Sequence, residues 1–176
     1  MKKNFTIIVY SENRIGLLGR ITLIFTRRHI NIESLTVSNS EIEGVSRYTI
    51  LVHQTEEIVR KVVDQIAKQV EVIRAFQFTD EETIFQEISL YKIAAPKSKT
   101  QEPKFLELLS QYNAHVVYQE EAFVVVENTG HAEETDKLFA EFNQNGYTVG
   151  QFSRSGRIAV SIEPMEVSNM LKEFDQ

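Results

Sequence analysis

Glu12-Asn13-Arg14-Ile15-Gly16-Leu17-Leu18-Gly19-Arg20, followed one helix length later by His29-Ile30-Asn31-Ile32-Glu33-Ser34-Leu35, is the stretch whose reading decides the fold. It reads as the end of a strand, a glycine-marked turn, an amphipathic helix and a second strand that opens around an asparagine. Phe5 to Tyr10 supplies the first strand, an apolar β-rich run too short for a helix. Leu17, Leu18, Ile21, Ile24, Phe25 and Arg28 recur at helical spacing and predict a helix from Gly16 to His29. Arg27, Arg28 and His29 suit its negative C-terminal end. Ile30 to Ser38 predicts the second strand, residues 39–44 a turn, and Val45 to His53 a third strand. Ile58, Val59, Val62, Val63, Ile66 and Ala67 mark a second amphipathic helix, and Val70 to Phe78 a fourth strand.

The order is β-α-β-β-α-β, the ferredoxin-like arrangement. Two helices on one face leave the other sheet face open, so such a small unit has a thin core and calls for a partner. Asp80, Glu81 and Glu82, with Glu87 just beyond, read as an acidic linker. The order then recurs. Strand Glu87–Ala95 leads through Pro96 and the polar stretch Lys97–Glu102 to a helix with Phe105, Leu106, Leu108, Leu109 and Tyr112. Strands follow at Ala114–Gln119 and Ala122–Asn128, then a helix at Glu133–Asn145 and a strand at Tyr147–Ser153. A turn at Arg154–Arg157, a short run Ile158–Ile162 and a small helix after Pro164 finish the chain. The expected fold class is α+β: two tandem ferredoxin-like βαββαβ units, 1–79 and 87–176, joined by a linker at 80–86.

Composition narrows the function. The hydrophobic fraction of 42% and charged fraction of 25% fit a soluble globular protein. No apolar run approaches the length of a membrane span, and the N-terminus lacks a signal peptide's apolar core. With no cysteine, thiol catalysis and Cys-based zinc sites are excluded. A cytoplasmic address is expected. The formal charge of −6 argues against a general nucleic-acid binder. Lys2, Lys3, Arg14, Arg20, Arg27 and Arg28 make the first forty residues basic, which fits either a solvated helix face or a docking surface for an acidic partner.

Catalytic patterns are not present. His29, His53, His115 and His131 are scattered, with no His-x-x-x-His spacing, and His131 with Glu134 sits at helical i, i+3 spacing. No Gly-x-Ser-x-Gly elbow, Walker loop or Gly-x-Gly-x-x-Gly occurs. An RNA platform on the central strands would use Tyr10 and Tyr48, but the accompanying basic–aromatic signature is missing. The opening stretch has better chemistry. Amides at a helix start favour a carboxylate, Gly16 admits close approach, and Asn13 and Asn31 offer neutral amides to either charged group of a zwitterion. Ile15, Leu17, Leu18 and Ile32 supply apolar surface. The same residues also fit a plain reading, with Gly16 as a turn, Asn31 as a strand cap and the leucines as core.

The runs Glu12-Asn13-Arg14-Ile15-Gly16-Leu17-Leu18-x-Arg20, Asn31-Ile32-Glu33-Ser34-Leu35-Thr36-Val37 and Ser46-Arg47-Tyr48-Thr49-Ile50 resemble the N-terminal ACT domain of the acetolactate synthase small-subunit family. The second half, with Glu87–Ile93 and the Arg154-Ser155-Gly156 turn, is similar to that family's more divergent C-terminal domain. The resemblance implies a non-catalytic regulatory subunit in branched-chain amino acid biosynthesis, a homodimer or larger assembly. It implies binding to, and activation of, the large catalytic subunit, with feedback inhibition by valine or a related amino acid at the ACT dimer interface. By motif position the effector residues are Asn13, Gly16 and Asn31, with Ile15, Leu17, Leu18 and Ile32 lining the site. Thiamine diphosphate, magnesium and FAD are expected on the catalytic partner and no cofactor in this chain. The alternative is a free-standing ACT-type amino-acid sensor that controls another enzyme or regulator.

Overall fold

The computed structural model describes residues 1–95 and 101–163. The expected helix after Pro164 and the stretch from Pro96 to residue 100 lie outside the described residues. The described residues form two compact units, 1–85 together with 157–163, and Gln86–Gly156.

The first unit has strands β1 (Lys3–Glu12), β2 (Ser34–Asn39), β3 (Val45–Gln54) and β4 (Val72–Thr79), with helices α1 (Leu17–Arg27) and α2 (Glu56–Ala67). Its antiparallel sheet has the order β2-β3-β1-β4. Strand periodicity sorts the side chains. Phe5, Ile7 and Val9 of β1 and Tyr48, Ile50 and Val52 of β3 meet Leu17, Ile21, Ile24 and Phe25 of α1 and Val59, Val62 and Ile66 of α2.

Ile8 and Tyr10 point the other way, into a smaller cluster with Ile42, Val45, Ile73, Phe76 and Phe78. Tyr10 and Tyr48 are both buried, so neither forms a stacking platform for bases. That second face is also not bare, contrary to expectation. The returning strand β9 (Ile158–Ser161) brings Arg157 and Ala159 onto the first unit as buried residues, alternating with exposed Ile158 and Val160.

The second unit repeats the order with β5 (Thr83–Ala94), α3 (Gln101–Gln111), β6 (His115–Gln119), β7 (Phe123–Gly130), α4 (Ala132–Gln144) and β8 (Val149–Arg154). Its sheet runs β6-β7-β5-β8, and β9 pairs with β5, whose opening residues Thr83–Phe85 belong to the first unit. The expected linker 80–86 is therefore structured. Asp80–Glu82 is a 3-10 turn and β5 begins at Thr83. Its acids are used in packing: Asp80 pairs with Arg157 at 2.6 Å, and buried Glu87 with Arg154 at 3.0 Å. Residues 157–163 group with the first unit.

One capping device sets several element ends. After α1, His29 adopts φ 55°, its N–H donates to Thr26 O at 3.1 Å, and Ile30 N–H donates to Phe25 O at 3.0 Å. That is a Schellman cap. Asn113–Ala114 closes α3 in the same way and Gly146–Tyr147 closes α4, and in each case the residue after the left-handed position is buried. Because Ile30 serves the cap, α1 stops at Arg27 and β2 begins at Ser34 rather than at Ile30.

In the second core Tyr91 stacks on Phe152 at 4.9 Å and donates its hydroxyl to Thr135 O at 2.8 Å. Burial pushes its phenol up to about 12. The folded state thus holds this proton more tightly than the unfolded chain, whose tyrosine titrates near 10. The stabilisation is complete below about pH 10 and is lost as pH rises through about 12. Tyr91→Phe should flatten this alkaline loss and lower neutral-pH stability by about 1 kcal/mol, as urea melts at several pH values would show.

Candidate functional site

At the end of β1 two backbone bonds hold the chain to neighbouring loops. Glu12 N–H donates to Glu71 O at 2.9 Å and Asn13 N–H to Gly44 O at 3.0 Å. Gly16 then takes φ 86°, ψ −9°, a left-handed conformation costly for any residue with a Cβ, and serves as the N-cap of α1. A Cβ built there would meet nothing within 4 Å, so the glycine answers a backbone need and not a packing one inside this protomer. No side chain caps the helix, and its first turn holds no acid. In that turn Leu17 N–H donates to Arg14 O at 3.3 Å and Arg20 N–H to Gly16 O at 3.2 Å, which leaves the amides of Leu18 and Gly19 without an intrahelical acceptor at the positive end of the helix dipole.

Asn13, Ile15, Gly16 and Leu18 surround this helix start and are exposed. Ile15 stands fully in solvent and Leu18 is 42% exposed, which leaves apolar surface beside the helix start. Leu17 does not belong to that surface. Its side chain is fully buried in the main core, because the helix turns it toward Ile21, Ile24 and Phe25. The expectation that Leu17 lines the site is corrected on this ground.

Asn31 and Ile32 lie elsewhere. Ile32 is half-buried against the core, and Asn31 Nδ2 donates to Glu33 Oε1 at 2.9 Å. The sheet register places them. Ser34 pairs with Leu51, and Leu51 with Thr6, near the beginning of β1. Gly16 follows the end of β1, where Asn39 pairs with Ser46 and Ser46 with Ser11. The eleven residues of α1, rising roughly 16 Å, lie between the two groups. One protomer therefore assembles Asn13, Ile15, Gly16 and Leu18, and sets Asn31 and Ile32 at the opposite end of the sheet.

The basic helix face is partly paired. Arg20 meets Glu71 at 2.6 Å, Arg14 meets Glu12 at 2.9 Å, and Arg28 donates to Gln65 at 3.1 Å. The Arg20 hydrogen bond holds the Glu71 carboxyl below its ordinary range. Among the described residues no group of three or more His, Asp or Glu is placed to hold a metal. The His131–Glu134 spacing is a helix start, with His131 N–H donating to Glu134 Oε2 at 2.8 Å. No helix among the described residues is long and apolar enough to cross a membrane.

Sequence reasoning missed the polar cluster on the second sheet face: Thr6, Ser34, Thr36, Arg47 and Arg157. Its signal was a run of hydroxyl residues and an arginine at alternate positions of paired strands. Leu17→Ala should cost about 2–5 kcal/mol as a core cavity, and Leu18→Ala roughly 0.5 kcal/mol, in denaturant melts of the two variants.

Comparison with known proteins covers both units. The profile described as "AHAS small subunit-like ACT domain" matches residues 7–74, and that described as "Small subunit of acetolactate synthase" matches 86–163. The chain is 34% identical over 161 residues to the acetolactate synthase small subunit of Bacillus subtilis, covering 90% of each chain. It is 28% identical over 159 residues to that of Mycolicibacterium smegmatis, covering 90% of this chain and 91% of the relative. The crystal structure of the acetolactate synthase small subunit from Thermotoga maritima shares the fold. Its TM-score is 0.81 at 22% identity, over 93% of this chain and 99% of that one. The two tandem ferredoxin-like units expected from the sequence are thus the fold of this family, and the chain belongs to the acetolactate synthase small-subunit family.

Proposed function

We propose that this protein is the regulatory subunit of acetolactate synthase in branched-chain amino acid biosynthesis in the cytoplasm. It binds the large catalytic subunit, raises its activity and confers feedback inhibition by valine or a related branched-chain amino acid. It forms no acetolactate by itself. Thiamine diphosphate, magnesium and FAD are assigned to the catalytic partner, and no residue of this chain is assigned to them.

The observation that carries the effector site is its division between the two ends of a sheet whose edge strand is β2. A two-fold pairing of β2 with β2 of a second copy is antiparallel, so the beginning of one strand lies beside the end of the other. It sets Asn31 and Ile32 of one protomer beside Asn13, Ile15, Gly16 and Leu18 of its partner. The amides at the start of α1 take the ligand carboxylate, Asn13 and Asn31 hold the polar groups, and Ile15, Leu18 and Ile32 meet the branched side chain. The pairing also covers an exposed strand edge. A ligand that binds one arrangement of the dimer more tightly shifts the population, and roughly 1–3 kcal/mol of coupling gives a 5- to 150-fold effect. A free-standing sensor is less well supported, because the second family profile extends through the second unit.

The test is co-expression with an acetolactate synthase large subunit, assayed with and without valine. Copurification, raised synthase activity and valine inhibition are expected, and a chain that makes acetolactate alone would refute the non-catalytic assignment. Gly16→Asp places a carboxylate against the ligand carboxylate, and its left-handed backbone adds strain. Valine inhibition should disappear while activation persists. Asn31→Ala should weaken valine by about tenfold in calorimetry, with the dimer intact by light scattering; unchanged affinity would remove Asn31 from the site.

A further inference from the structure

Arg157 is 9% exposed, although Ser153, Arg154, Ser155 and Gly156 before it are not buried. Its Nη1 donates to Thr6 Oγ1 on β1 at 2.9 Å and to Asp80 Oδ1 at 2.6 Å, and its guanidinium lies 3.5 Å from the Phe85 ring centroid. Its backbone is gripped as well. Arg157 N–H donates to Ser34 Oγ at 3.3 Å, and its carbonyl accepts from Thr36 Oγ1 at 3.1 Å. Both hydroxyls are on β2. Arg47 on β3 donates to Ala159 O, which holds the strap one register step further on.

Three residues earlier, Arg154 is anchored within the second unit, by Glu87 at 3.0 Å, Thr135 Oγ1 at 2.9 Å and Asp136. Only Ser155 and Gly156, at φ 78°, separate the two arginines. One short turn thus carries an arginine at each end, each locked into a different unit. The links to β2 matter because β2 is the strand whose free edge completes the effector site in the dimer described above. A displacement of β2 reaches the Arg157 backbone through its two hydroxyl bonds. The guanidinium, paired with Asp80 and bonded to Thr6, holds the strap against the sheet.

We infer that the Arg157 strap, held by Ser34 and Thr36, is the coupling element that carries the state of the effector-binding edge out of the first unit. This rests on the β2-edge reading of the effector site. Hydrogen-bonded chains joined to rigid elements are the physical means by which such coupling travels.

The test uses the complex with the catalytic subunit. Ser34→Ala with Thr36→Val removes both hydroxyl links without touching a charge or any residue of the effector site. The variant should bind valine within about threefold of the parent in calorimetry and activate the synthase in full, while inhibition at saturating valine falls to less than about half the parental value. Arg157→Lys keeps a charge beside Asp80 but loses the planar fork, and should move the inhibition plateau the same way. Equal plateaus at matched occupancy would overturn the coupling role. Loss of valine binding together with inhibition would also overturn it, by making the hydroxyls part of the site's own framework. A parental complex that neither binds nor answers valine would instead overturn the effector reading beneath it.

Discussion

An eleven-residue helix stands between the two halves of the candidate effector site, and much of the regulatory reading depends on that separation. Helix α1 cannot be shortened without losing the contacts of Ile21, Ile24 and Phe25, which fill the core against β1 and β3. Its length keeps the uncapped amides at Gly16 away from Asn31 within one chain. In the proposed dimer, two copies related by a two-fold axis through the β2 edge would remove the separation without altering either fold. Dimer formation and ligand binding then become one linked equilibrium, which is the condition for a small ligand to control assembly geometry.

The second face of the same sheet follows from a different constraint. A sheet with two helices on one side has too little core, and Ile8, Tyr10, Phe76 and Phe78 need cover. The strap from Arg157 to Ser161 supplies part of it, and does so with polar bonds to Thr6, Ser34, Thr36 and Arg47. Asp80 and Glu87, which look like linker acids, are each the partner of an arginine from the Arg154–Arg157 turn. The two ends of the turn are thereby tied to residues on either side of the crossing between units.

Periodicity made the elements legible. The apolar β-rich runs Phe5–Tyr10 and Val45–His53, and the helical spacing from Leu17 and from Ile58, are local patterns, so they appear in one dimension. Boundaries were less legible. Nothing in His29-Ile30 or Asn113-Ala114 resembles a glycine stop, yet left-handed His29 and Asn113 end their helices because the following apolar residue is buried. Leu17 and Leu18 show the same limit within the site. Adjacent leucines at a helix start have equal claims on a ligand until the helix direction turns one into the core and leaves the other 42% exposed.

The sequence by itself determined the repeated βαββαβ order, the glycine at the start of α1 and the family to which these belong. Each is a local property, carried by side-chain period or by one residue's backbone freedom. Only the tertiary structure decided that Asn31 and Gly16 lie at opposite ends of a protomer, and that Arg157 belongs with strands more than a hundred residues before it. Sheet register and long-range hydrogen bonding set those placements, and both depend on partners distant along the chain.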